Sequence, residues 1–370
     1  MENINGITKL VKRLFINFFF LSSPVVLLAQ AVDYNNLENW EHICYCSMNN
    51  VTHPESVVKA DNNWQLLLAM KDGVTLEQLD SLKIPYSQSQ LLLLRSHRLL
   101  NRTQNIYTTS VPILDVEQTA NFRQLSQLVA NSIYPEIEKS CRDLVAHLSE
   151  QNRSNNAFSI LFSYLLDGLI WNRLEKENIV EKHDGTGIWD GNFWFLTPKR
   201  QVDIVGTNSF ESEDIAFKCN WSKVEYSNYT SKLLNKRPDR LFPFILEKTI
   251  PNKELIDEFR DFGLFDKNFN LTIPIINEKE NSSLYLLSNN VIDKLLAAFW
   301  KNTNIDEIKN LYKFNDISET VVIFYHEVMW DLKDLLLKNQ VIQIPTLFKS
   351  PDKATLADVA DLCFIVIYDN

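Results

Sequence analysis

Glycine is so scarce in this chain that it limits which folds the chain can adopt. There are 8 glycines in 370 residues, against a usual share of ~7%. Folds that hold phosphates on tight turns need glycine where the backbone approaches a ligand or takes positive φ. No P-loop, no G-x-S-x-G elbow and no H-E-x-x-H occurs. The run through Gly185, Gly187 and Gly191 comes near the dinucleotide fingerprint, but it has one residue too many and no βαβ pattern around it. The motifs specify no cofactor.

The N-terminus carries a second constraint. Lys9, Lys12 and Arg13 precede a nearly unbroken apolar run, Leu14 to Ala29, which ends in Ala29-Gln30-Ala31. A basic start, a short apolar stretch and small residues before a cleavage point describe a secretory signal. The expectation is an exported protein of the periplasm, cell envelope or extracellular space, with residues 1–31 removed. An uncleaved anchor is the alternative, and in that case the chain contacts a membrane. Pro24 and a length short of the ~20 residues a span needs favour the signal. The formal charge of -10 becomes about -12 when the net +2 of Glu2, Lys9, Lys12 and Arg13 is removed. A general nucleic-acid binder would instead be basic.

Apolar periodicity predicts helices over 58–71, from Thr75 to about Leu82, over 87–100 and over 115–149, with Pro135 interrupting the last. Thr75 and Gln78 have capping-box spacing. Residues 105–113 are β-prone, Phe158 to Leu174 reads as a buried helix, and Cys363 to Tyr368 reads as a strand. Gln151–Asn156 is polar throughout and reads as a linker. The predicted fold is a helix-rich α+β chain. Residues 32–150 form an N-terminal unit with a long amphipathic helix. Residues 157–370 form a larger helical domain with a small sheet and an aromatic, glycine-bearing centre at 183–210.

Three short helices, a stop at Gly73, a turn at Pro85 and a β-prone segment follow one another over residues 60–115. In that order the segment resembles a winged helix-turn-helix module. No acidic residue occurs from Ser81 to Leu114, while Lys83, Arg95, Arg98 and Arg102 do. The resemblance implies a third helix able to enter a DNA groove, with those four residues as the nucleic-acid contacts. An export signal argues against that partner.

Four residue groups could carry function. Trp189, Trp194, His183, Asp184 and Asp190 form an aromatic and carboxylate centre suited to a carbohydrate, peptide or small apolar ligand, packed beside a tight glycine turn. His42, Cys44 and Cys46 alternate along one face of an extended segment, and with His53 they are possible zinc or copper ligands. A disulfide to a distant cysteine, with the histidines unrelated, is the competing reading. His326 and Glu327 resemble the start of a zinc-protease helix whose second histidine is replaced by Trp330. Glu327 and Asp331 then read as a solvated helix face. Lys232, Lys236, Arg237 and Arg240 form a basic loop around Pro238. The functional expectation is a non-enzymatic protein that binds a protein or small-molecule ligand in the envelope. A winged-helix nucleic-acid regulator is the first alternative. A hydrolase built on His183 with Asp184 or Asp190, or on His326 with Glu327, is the second.

Overall fold

The computed structural model describes residues 33–48, 53–182, 188–200 and 205–369. The expected signal at 1–31 lies outside them, as do His183 and Asp184. Among the described residues, no helix is long and apolar enough to cross a membrane. The fold is helix-rich α+β, with 54% helix and 16% strand. Residues Met1–Asn39 form one unit, whose described part contains the short turn Leu37–Asn39. Trp40–Asn370 forms the other.

The chain enters the second unit on a strand, β1 (Glu41–Met48). Four helices follow: α1 (Pro54–Val58), α2 (Asn63–Ala69), α3 (Leu76–Ser81) and α4 (Gln88–Ser96). Of the helix expected over 58–71, the structure forms α2 and only Val58 of α1, with a turn at 59–62 where Asp61 takes φ 46°. Thr75 and Ser87 close capping boxes with Gln78 and Gln90, which sets the starts of α3 and α4. A hairpin of β2 (Leu100–Thr103) and β3 (Ile106–Thr109) comes next. Val74, between α2 and α3, pairs with Tyr107 of the hairpin.

After the short strand β4 (Ile113–Leu114), Asp115 and Gln118 cap a 35-residue helix, α5 (Val116–Glu150). Pro135 does not interrupt it. Phe122, Val129 and Ile133 before the proline, and Ile137, Cys141, Leu144 and Leu148 after it, are buried along one stripe. The stripe packs against α10 (Ser283–Asn302) and α12 (Ile317–Lys338). Burying a side chain of this size contributes roughly 1.5–3 kcal/mol. Several such contacts on both sides outweigh the roughly 3 kcal/mol penalty of an interior proline.

The expected linker is a packed connection inside the unit. Asn156 is buried and donates from Nδ2 to the carbonyls of Ala360 (2.8 Å) and Cys363 (3.1 Å). Arg153 Nε donates to the Thr272 carbonyl at 3.0 Å. A polar run reads as a linker because its side chains would be solvated; here Gln151, Asn152, Ser154 and Asn155 are exposed, but Arg153 and Asn156 satisfy backbone carbonyls of distant segments. The boundary expected between 150 and 157 therefore falls within one compact body.

Ser159–Leu169 is wound as a π-helix and continues into α6 (Ile170–Lys176). The segment expected as a tight turn beside Gly191 is instead a strand, β5 (Trp189–Leu196). β5 is the middle strand of a three-stranded sheet, antiparallel to β1 and parallel to β4. Gly191 has φ +129°, and a Cβ there would collide with the Tyr45 carbonyl and Cys46 of β1. The glycine serves close strand approach, not a turn. A second sheet has the order β6 (Val205–Glu211), β7 (Ile215–Ser222), β9 (Cys363–Ile367), β8 (Ile275–Asn277), with β8 and β9 parallel.

Candidate functional site

A cavity of about 210 Å³ lies where three distant segments meet. Arg98, Ser110 and Val111 come from the ends of α4 and the hairpin. Trp189 to Phe193 come from the start of β5, and Asn315, Asp316, Ser318 and Glu319 from the start of α12. Glu181 completes the wall. Trp189 is almost fully buried, and its Nε1 donates to the His97 carbonyl at 2.7 Å. That bond fixes the indole against the C-terminus of α4. Arg98 turns toward the same strand. Its Nη1 lies 3.5 Å from the Trp189 carbonyl and 3.8 Å from Asp190 Oδ1.

Four carboxylates, on Glu181, Asp190, Asp316 and Glu319, line this cavity with the single guanidinium of Arg98. Asp316 Oδ1 accepts from the Glu319 amide at 2.8 Å and caps α12. Glu319 accepts from the Asn315 amide at 2.7 Å, and burial raises its pKa. A polar wall of this kind does not suit the small apolar ligand that the aromatic composition allowed. It favours a small polar molecule with positive charge, because carboxylates in a recess focus a negative potential.

The predicted aromatic centre is thus divided. Trp189 and Asp190 reach the cavity. Trp194 does not, although it lies on the same strand, because it is fully buried and packs edge-on at 5.1 Å from the His326 ring. His183 and Asp184 fall outside the described residues.

The helix α12 also carries a buried ionic network. Glu327 is fully buried, and its Oε2 accepts from Arg123 Nε (2.9 Å) and Arg200 Nη2 (2.7 Å). Arg123 Nη2 also donates to Glu41 Oε2 at 2.5 Å, and Arg200 Nη1 to Asp331 Oδ1 at 3.3 Å. Ser126 donates to the other oxygen of Asp331. Burial raises the pKa of Glu41, and Glu327 adds to the rise. Burial likewise raises that of Asp331. The expected solvated face of α12 is therefore wrong: the two guanidiniums allow carboxylates to be buried there.

His326 and Glu327 have different partners. His326 stacks on Trp171 at 4.8 Å and meets Tyr45 and Trp194 edge-on. Its Nδ1 lies 2.6 Å from the Val322 carbonyl. Burial lowers its pKa to about 4, so the ring is neutral near pH 7. Glu327 is held by Arg123 and Arg200, so the residues that resembled the zinc-protease start serve two separate environments.

The candidate metal set is not assembled. Cys44 and Cys46 are joined to each other as a disulfide. His42 Nε2 lies 3.0 Å from Glu55, and His53 Nδ1 accepts the Glu55 amide at 3.1 Å to cap α1. Among the described residues, no group of three or more His, Cys, Asp or Glu is placed to hold a metal ion. The candidate nucleic-acid residues differ in role. Lys83 and Arg95 are exposed. Arg102 donates to the Gln104 carbonyl at 2.8 Å and lies over the Tyr107 ring. Arg98 belongs to the cavity. The basic loop is charge-paired: Arg240 and Lys236 meet Glu258 at 2.7 and 3.5 Å, and Arg237 meets Asp239 at 2.7 Å.

Sequence spacing did not point to Ser110, Asn192, Asn315 or Asp316 in the cavity, nor to Arg123, Arg200 and Glu41 in the network. Their partners lie some 80 to 200 positions away in the chain, beyond any local periodicity. Comparison with protein-family models, with curated proteins and with solved structures returns no match.

Proposed function

We propose that this chain is an exported, non-enzymatic binding protein that holds a small, positively charged polar ligand in the cavity between Arg98, Trp189 and Asp190. The observation that carries the reading is the wall itself, four carboxylates and one guanidinium around an indole edge. At about 210 Å³ the cavity is smaller than the roughly 300–1,000 Å³ of drug-sized sites, so it suits a compact amine. Export rests on Lys9 to Ala31. The ligand is met in the envelope or outside the cell.

Calorimetric titration of the full chain with 1,4-diaminobutane tests this, with succinate and glycerol as anionic and neutral controls. The diamine binds in preference to both. Asp190→Asn weakens it about tenfold, equivalent to ~1.4 kcal/mol. Succinate binding as well as the diamine, or no binding by the diamine at millimolar concentration, sinks the reading.

A second reading has support of its own. The order α2, α3, α4, hairpin, with Val74 bridged to Tyr107, fits a winged-helix unit, and Lys83 and Arg95 stand exposed on it. A regulator of this type would retain duplex DNA at low salt and release it as salt rises. Absence of retention removes it.

A further inference from the structure

Cys219 and Cys363 are both fully buried. They are register partners across the antiparallel pair β7 and β9. Their Sγ atoms lie 2.9 Å apart, although 144 positions separate them in the chain. Directly opposite residues in antiparallel strands have Cα atoms about 4.5–5.5 Å apart, inside the about 4.4–6.8 Å range of disulfides. Closing 2.9 Å to a bond of about 2.04 Å requires an approach of only about 0.9 Å. The Cys363 end is already anchored. The Cys363 carbonyl accepts from Asn156 Nδ2 at 3.1 Å, and Cys363 Sγ lies 3.2 Å from the Val359 carbonyl.

We propose that Cys219 and Cys363 are a site of oxidative modification, forming a cross-strand disulfide that staples the C-terminal strand β9 to β7. The oxidant is a low-molecular-weight disulfide. One thiol, as thiolate, attacks that disulfide and releases one small thiol. The second protein thiolate then attacks the mixed disulfide and releases the other. Two S–H bonds and the oxidant's S–S bond break, and one protein S–S bond and two small-molecule S–H bonds form. The order of events follows from burial, which raises the Cys363 thiol well above its ordinary range and leaves little thiolate once the sheet is formed. Oxidation therefore accompanies folding, when β9 docks, and is slow in the finished sheet. Cys44 and Cys46 are already paired, so of five cysteines one thiol remains, that of Cys141.

The test is refolding of the full chain in oxidised and reduced glutathione, and separately in dithiothreitol. The products are denatured, alkylated with iodoacetamide, digested and mapped by mass spectrometry. After glutathione refolding, a peptide linking Cys219 to Cys363 is found, lighter than the two free peptides by two hydrogens. Cys141 then carries the alkyl group. The linked peptide is absent after dithiothreitol refolding. The map is made on wild-type protein, so it decides the matter even if the control variant Cys219→Ala folds poorly. Native circular dichroism with Cys219 and Cys363 both alkylated, or either one linked to Cys141, overturns the proposal.

Discussion

His326 shows how one buried side chain can set a pH response. Its ring sits among Tyr45, Trp171 and Trp194, and burial lowers its pKa to about 4. In the unfolded chain a histidine titrates near 6.5. Between those values the unfolded chain takes up a proton that the folded chain refuses, so this residue weakens folding as pH falls through the window. The full effect is roughly 3 kcal/mol. Asp167 and Asp361 act in the opposite direction. Burial raises each to about 6, so their contribution is present below the ordinary aspartate value near 3.9 and is lost as pH rises to about 6. His326→Phe keeps an aromatic ring in the box and removes the titration. In urea unfolding, the stability of wild type relative to the variant should fall by about 3 kcal/mol from pH 7 to pH 4. Parallel curves would show that His326 does not couple to folding. The sequence marked His326 through its neighbour Glu327 and suggested shared chemistry. Their separation comes from Arg123 and Arg200, which no spacing rule connects to either residue.

At the scale of elements, local chemistry was most legible where a few neighbouring residues decide the outcome. Thr75 with Gln78 predicted a helix start, and both bonds of that capping box are made. The alternation of His42, Cys44 and Cys46 puts them on one face only if the chain is extended there, and the segment, which otherwise reads as a polar lead-in, is the strand β1. Pro135 does not end α5 because its local cost is overridden by burial along the helix, and Gly191, whose local chemistry suits a turn, serves strand approach instead. The π-helix had no sequence signal beyond its apolar character. Its one glycine marks a crowded point in the π winding: a Cβ on Gly168 would lie 2.7 Å from the carbonyl oxygen of Ser163, five residues back. Backbone must shift to admit it, and overpacking of this kind costs about 1–3 kcal/mol. Gly168→Ala should lower the unfolding free energy from urea titration by that amount, with a lower midpoint. The hydrogen bond of Ser163 to Thr207 at 2.8 Å should weaken with it. A midpoint equal to wild type would mean that the winding relaxes without strain.

The whole molecule explains why the site was only half legible. Helix-rich α+β content followed from periodicity and composition, while the boundary expected between 150 and 157 lies inside the unit Trp40–Asn370. β1 and β4 lie before the expected linker and β5 after it, yet they form one sheet. The same tertiary pairing assembles the cavity from α4, β5 and the start of α12. Trp189 and Asp190 could be found from the sequence because composition singles out the segment around them. Asn315 and Asp316 could not, since nothing local to them signals a ligand. The pairing also divides two tryptophans five residues apart, giving one to the cavity and one to the core. The most direct measurement is fluorine NMR of full-length protein labelled with 5-fluorotryptophan, its eight resonances assigned by single Trp→Phe substitutions and titrated with 1,4-diaminobutane. The Trp189 resonance should shift in a saturable way while that of Trp194 stays in place. A diamine that binds without moving the Trp189 resonance, or that moves Trp194 instead, would contradict the proposed site.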